Sequence, residues 1–347
     1  MTSKTFCVLP WYGKDIYFDK QRACCLLPHN VDLDAVKADL LDGIETPACN
    51  KCWTVESQGK DSKRKQENQF LDYKLNKDID KIYQDCIENK HQPLIYQITM
   101  STLCNQACVT CSSEFSSKWA DIENRMSITP RPTRYTDLNK LNVNYQTAKM
   151  IKFVGGEPLF DSKTFDVLDQ LVAHNNADCF VSIVTNGSIL LNNKHLDTLS
   201  KFTDLNICLS IDGVGKVFEY MRWPAKWHTL IQNIEQYKTV AKSLSVSYTI
   251  SAVNAYYYNE TVAWFQDSNL DFNHNVVYQP HWLSLYTMPV QIKQYLKSHA
   301  FFKDFCIITG KEISSELFLS RLSKQDQAKK ISISDYMPEL HHLLTAR

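Results

Sequence analysis

No stretch of this 347-residue chain approaches the ~18–20 consecutive apolar residues needed to cross a bilayer, and its first residues lack the basic-then-apolar pattern of a secretory signal. The expectation is a cytoplasmic protein with no membrane partner. An excess of either charge is also missing. With 38 basic and 38 acidic side chains, no electrostatic case exists for a nucleic-acid or anionic-membrane partner. The sequence has no low-complexity segment, and no internal repeat beyond an alternation of strand-like and helix-like segments. What remains is a globular composition, 44% hydrophobic and 12% aromatic, whose length predicts about two domains.

Cysteine, by contrast, is plentiful: there are twelve. In a reducing compartment they are better explained by metal or cluster chemistry than by disulfides. Eight fall in two groups, Cys7, Cys24, Cys25, Cys49 and Cys52 near the N-terminus, and Cys104, Cys108 and Cys111 in one loop. Cys86, Cys179, Cys208 and Cys306 stand singly among apolar residues and read as buried small hydrophobes.

The loop Cys104-Asn105-Gln106-Ala107-Cys108-Val109-Thr110-Cys111 follows the strand-like run Leu94–Met100 and has no fourth cysteine nearby. A structural zinc site draws four ligands from two separated pairs, and a ferredoxin loop supplies a fourth thiolate. Three thiolates can instead hold three irons of a 4Fe-4S cube and leave the last iron open to a chelating molecule. Metal-free buried thiols are the plainer alternative.

From about residue 92 to 285 six strand-like segments alternate with amphipathic stretches: 94–101, 149–154, 179–185, 205–211, 244–253 and 274–279. Ser162–Asn175 and Trp227–Ser243 read as two of the intervening helices. Repeated strand–helix–strand units predict a parallel sheet, and six units in this length fit a partial (β/α)6 barrel better than a closed eight-fold one. The unusual residues all follow strands: the cysteine loop, Gly155-Gly156-Glu157-Pro158, Thr185-Asn186-Gly187, Ser210-Ile211-Asp212-Gly213, Asn254 and Gln279-Pro280-His281-Trp282. In such architectures those positions share one ligand-binding rim. His281, Asp212 and Glu157 are acid/base candidates there.

The C-x3-C-x2-C spacing, with the Gly155-Gly156-Glu157-Pro158 turn downstream, resembles the radical S-adenosylmethionine superfamily. The resemblance implies a catalytic 4Fe-4S cluster on Cys104, Cys108 and Cys111, and S-adenosylmethionine as cofactor. One electron would cleave the cofactor to methionine and a 5'-deoxyadenosyl radical that abstracts hydrogen from substrate. It also implies cofactor-binding roles for Gly155, Gly156 and Glu157 toward the methionine amino group, for Asn186, Ser210 and Asp212 toward ribose and carboxylate, and for Arg222 toward the methionine carboxylate. Relatives carry an aromatic residue before the third cysteine; Thr110 stands here, so adenine contacts are expected from around Asn254 to Tyr257.

The N-terminal group, with Trp53 and Glu56, resembles the auxiliary-cluster module of the SPASM and twitch proteins. That implies an auxiliary 4Fe-4S cluster on Cys7, Cys24, Cys49 and Cys52, with zinc on the same sulfurs as the alternative and Cys24 favoured over Cys25. Near the rim, such a cluster would accept an electron from a substrate radical. The expected organisation is an auxiliary module over 1–90, a radical S-adenosylmethionine barrel over 91–288 and a helical extension over 289–347. Lys60–Glu67 reads as a solvated loop or helix face. The expected function is a radical S-adenosylmethionine enzyme, oxidoreductase-like or peptide-modifying, acting on a peptide side chain or a sugar-type alcohol and served by an electron donor such as flavodoxin or ferredoxin. The reading from another class is a non-catalytic, zinc-stabilised α/β binding protein.

Overall fold

The structure, a computed structural model, describes residues 2–307 and 311–346. Eight strands form one sheet: β1 (Gly13–Tyr17), β2 (Lys20–Arg22), β3 (Ile95–Thr99), β4 (Met150–Val154), β5 (Phe180–Thr185), β6 (Leu205–Ser210), β7 (Ser243–Ile250) and β8 (Asp271–Val276). Their spatial order is β2-β1-β3-β4-β5-β6-β7-β8. The pairs from β1–β3 through β7–β8 are all parallel, and only the β1–β2 hairpin is antiparallel. Strands β3–β8 are the six expected units of an α/β partial barrel. The sheet stays open, with β2 at one edge and β8 at the other.

Strand periodicity explains the two faces. Leu205, Ile207 and Leu209 of β6 and Val246, Tyr248 and Ile250 of β7 are buried and join one core with Leu168, Leu199, Leu230 and Ile234 of the flanking helices. Each such aliphatic side chain contributes about 1.5–3 kcal/mol by leaving water. The alternating positions carry Gln97, Lys152, Ser182, Asn206, Ser210, Ser245 and Ser247, most of them only partly covered. The inner face is therefore polar and the helix-covered face apolar.

The N-terminal segment is joined to this sheet, because β1 pairs along its whole length with β3. The last strand departs from the sequence expectation, running Asp271–Val276 instead of 274–279. Its Asp271, Asn273, His274 and Asn275 are exposed, as suits an edge strand, and apolar patterning pointed past them to Val276–Tyr278. Two of the four solitary cysteines are also corrected. Cys86 and Cys179 are buried, whereas Cys208 and Cys306 are only partly covered, Cys208 because it lies on the polar face of β6. The charged stretch Lys60–Glu67 opens the helix Lys63–Leu75 with Arg64 and Glu67 buried rather than solvated. The C-terminal extension is helical as expected, with Ser315–Lys329 its longest element. No helix among the described residues is long and apolar enough to cross a membrane.

Candidate active site at the strand ends

The loop after β3 is held by its own backbone and by three other segments. Ser117 Oγ accepts from Cys104 N at 3.0 Å, Ser116 Oγ donates to Gln106 O at 2.6 Å, and Trp119 Nε1 donates to Cys108 O at 2.9 Å. From the segment beyond β6, Trp223 O accepts from Ala107 N at 2.7 Å and Met221 O accepts from Val109 N at 2.9 Å. These bonds fix the loop with Cys104, Cys108 and Cys111 within electrostatic reach of one another. Burial, with the Cys108 charge second, pushes the Cys104 thiol up to about 12. Burial raises Cys108 and Cys111 as well, with Arg222 opposing the rise at both. The thiols are near enough to one another for each thiolate to oppose the ionisation of its neighbours.

The Gly155-Gly156 turn serves this loop. Gly155 has φ +126°, and a Cβ there would lie 2.7 Å from Ser101 O. A Cβ on Gly156 would lie 2.2 Å from Leu103 O. Gly156 N donates to Ser101 O at 2.9 Å and Glu157 N to Leu103 O at 2.8 Å. The sequence reading assigned these glycines to a ligand; the space before both is filled by the cysteine loop. Their first role is to let two backbones touch. Ser101 Oγ also donates to Asp161 Oδ2 at 2.5 Å, and Asp161 caps the next helix by accepting from Lys163 N.

Glu157 is 1% exposed and accepts from Asn186 N at 2.6 Å, Thr185 Oγ1 at 2.7 Å and Leu159 N at 2.9 Å. Burial pushes its carboxyl up to about 7 although these donors oppose the rise. It ties the ends of β4 and β5 together. Asn186 then reaches the cysteine loop, donating to Asn105 Oδ1 at 2.9 Å and toward Cys104 Sγ at 3.9 Å.

Across the site, Arg222 Nε lies 2.7 Å from Asp212 Oδ2, out of hydrogen-bond alignment, and its Nη1 points to Cys108 Sγ at 3.8 Å. Asp212 is fully buried and accepts from Thr249 N at 2.9 Å. Ser210 ends β6 nearby, partly exposed. Asn254 differs from the other sequence candidates: it donates to Asp212 O and Thr249 O and accepts from Ser251 N and Oγ, so its hydrogen-bonding capacity is spent inside the protein. Tyr257 donates to Glu339 at 2.8 Å. His281 is exposed and contacts Gln279.

Two groups escaped the sequence reading. Gln106 is 1% exposed and its Nε2 has no hydrogen-bond partner among the described residues. It lines a cavity of ≈ 190 Å³ with Asn105, Asn186, Ser188, Pro224 and Thr229. A polar residue between two candidate ligands was its only signal. Lys329, at the end of the longest C-terminal helix, is 3% exposed and nothing local marks it.

The N-terminal cysteines gather elsewhere. The β1–β2 hairpin turns at the rim, so β2 carries the chain back and Cys24 and Cys25 follow it near the start of β1, where a Cβ on Gly13 would lie 2.5 Å from Ala23 O. Cys24 and Cys25 thus lie toward the opposite end of β1 from the rim, where the sequence reading considered an electron-accepting cluster. Cys7 responds to Cys49 and Cys52 after its own burial, and Cys24 responds to Cys7 after its hydrogen bond to Cys25 and burial. Cys25 instead feels Lys63, Asp15 and Lys152, and its bond with Cys24 lowers it to about 6. Arg64 donates to Phe6 O at 2.8 Å and pairs with Glu56 at 2.5 Å, fastening the helix Asn50–Ser57 that carries Cys52 to the Cys7 segment. Among the described residues no three His, Cys, Asp or Glu side chains close on one point as a single metal ion needs.

No protein-family model and no curated protein matches this chain. Solved structures to which it is similar include anSMEcpe in its native form with bound AdoMet, at 17% identity and TM-score 0.38 over 65% of this chain and 61% of that one. The histidine-tagged form with bound AdoMet gives 18%, 0.43, 64% and 63%. SuiB of Streptococcus suis bound to precursor peptide SuiA gives 15%, 0.37, 85% and 60%. The matched part spans about three fifths of the length of each. In its cysteine spacing and the glycine turn locked against it, the chain resembles the radical S-adenosylmethionine superfamily.

Proposed function

We propose that this protein is a radical S-adenosylmethionine enzyme whose catalytic 4Fe-4S cluster is held by Cys104, Cys108 and Cys111. The observation that carries the reading is a loop clamped at the strand ends that carries three neighbouring thiols, Cys104 and Cys108 buried and Cys111 partly covered. When bound, the cluster supplies the electron that breaks a carbon–sulfur bond of the cofactor, and the resulting radical takes hydrogen from substrate. The residues fit this load: the donors are all sulfur, the buried amide of Gln106 is unpartnered among the described residues, and a cavity adjoins the loop.

In this reading Arg222, set by buried Asp212, neutralises negative charge at Cys108 and orients the carboxylate of the methionine moiety. Asn186, Asn105 and Gln106 line the cavity that takes the adenosyl part, a better place for it than the spent Asn254. Gly155, Gly156 and Glu157 hold the cysteine loop to the ends of β4 and β5. The buried loop excludes water from the cluster, as a low potential requires.

Cys7, Cys24, Cys49 and Cys52 hold an auxiliary 4Fe-4S cluster. Four sulfur donors suit a zinc ion as well as a cube, and the likeness of this cysteine group to the auxiliary-cluster module of the SPASM and twitch proteins favours the cube. At about 3.3 Å per residue, the five residues of β1 separate this centre from the rim by roughly 15 Å along the strand. It serves as an electron acceptor and not as a substrate ligand. The substrate is polar, a peptide segment or a sugar-type alcohol, facing the hydroxyls and amides of the inner sheet face, and reducing electrons come from a flavodoxin or ferredoxin.

Anaerobically reconstituted protein is expected to carry roughly eight irons, two cubes' worth, and with dithionite to release 5'-deoxyadenosine from S-adenosylmethionine, whereas Cys108→Ala releases none. A cluster-loaded wild type that leaves the cofactor intact, with or without a peptide or polyol probe, would remove the enzymatic reading.

A further inference from the structure

Lys329 ends the helix Ser315–Lys329, which lies against the helix Ser117–Arg125 below the cysteine loop. Arg125 Nη1 donates to Ala328 O at 2.9 Å, so the ends of the two helices are fastened. The ammonium sits 4.6 Å from the centroid of the Trp119 ring, and Trp119 itself holds Cys108 O. Its hydrogen bond goes to the neutral Gln325 Oε1 at 3.3 Å, and it makes no salt bridge among the described residues. Asp326, one turn back, is occupied by Tyr220 Oη at 2.9 Å and Ile333 N at 2.8 Å. Arg222, the other cation near Cys108, is already offset by Asp212.

A buried ammonium without a carboxylate in contact needs an anion. Burial draws its proton affinity down to about 8 against the opposing charges of Cys108, Asp326 and Cys111; with Asp326 already held by Tyr220 and Ile333, the cysteine loop supplies the rest of the negative charge in its field.

We infer that Lys329 is a positioning cation for the cysteine-loop cluster, and that its fixed charge stabilises the reduced state and so sets the potential at which the cluster accepts its electron. The inference rests on the function proposed above. The step is a one-electron transfer from a low-potential reductant to the cluster, with no proton moved and no bond made. A fixed positive charge favours the form that is one unit more negative.

The test is an anaerobic reductive titration with dithionite, followed by electron paramagnetic resonance, on wild type, Lys329→Met, Lys329→Arg and Gln325→Glu. At the poise that half-reduces the wild-type cluster, the reduced-to-oxidised ratio in Lys329→Met falls roughly tenfold, the order of magnitude that one charge about 12 Å away gives at an effective dielectric constant of about 20. Lys329→Arg stays near wild type. Gln325→Glu, which sets a carboxylate against the ammonium while leaving its packing, shifts in the same direction and decides the matter if Lys329→Met does not hold iron. Unchanged potentials in iron-loaded Lys329→Met, or in Gln325→Glu, overturn the inference. A wild type that takes up no cluster defeats the proposed function instead.

Discussion

Glu157 shows how one side chain can be essential to a site without meeting its ligand. Its two oxygens are used by three donors from β5 and its own turn, yet burial outweighs them and lifts its folded-state carboxyl to about 7, above the ordinary 4.5. The folded form thus binds the proton more tightly than the unfolded chain. The group's contribution to stability is complete below about pH 4.5 and is lost as pH rises through about 7. Glu157→Gln does not titrate, and its amide faces at least one N–H that wants an acceptor. In urea titrations of the metal-free protein, the stability difference between wild type and Glu157→Gln should shrink by on the order of 3 kcal/mol between these pH values and level off above them. A difference flat across that window would mean that the carboxyl is not raised.

At the scale of elements, the clamp between the cysteine loop and the glycine turn sets the site. Gly156→Ala drives a Cβ into Leu103 O, a backbone atom that no side-chain rotation can remove. The loop must shift, and a shift of the loop is a shift of Cys104. The expected outcome is destabilisation of about 2 kcal/mol or more together with loss of the rim cluster's iron, read by thermal melting and iron analysis. Wild-type iron content in this variant would show that the clamp does not matter. The clamp also marks where sequence reading reached and stopped. Strand alternation and the loops after each strand were legible because periodicity and spacing are local properties, and five of the six barrel strands fell at the predicted places. The contact of Gly156 with Leu103 is a pairing across some fifty positions, invisible to any local pattern. So is Lys329, whose helix is polar on most faces and meets the cysteine loop only through the tertiary packing of Trp119 and Ala328. The edge strand β8 was misplaced for the opposite reason: its polar side chains suit an exposed border and lack the apolar signal. Asn254 was read from its position after β7, and position alone could not reveal that its amide is consumed by the turn it closes.

For the molecule as a whole, the β1–β2 hairpin decides that the two cysteine groups lie at opposite ends of the sheet. If each group holds a cluster, as proposed above, their separation predicts that each can be lost alone. Cys24→Ser should lower iron by about half, to the roughly four irons of a single cube, while the Cys104 loop keeps its signal and cofactor cleavage. Cys25→Ser, which faces Lys63 and Asp15, should retain both centres. The reverse result, measured by iron content and Mössbauer spectroscopy, would exchange the two thiols' roles.

The same hairpin also shields one border of the sheet. Its outer strand spans three residues, with Lys20 and Gln21 facing solvent, and the far margin of the sheet is lined by Asp271, Asn273 and Asn275. Short, charged and polar margins make poor templates for another chain. Addition of a further strand at either margin is therefore disfavoured.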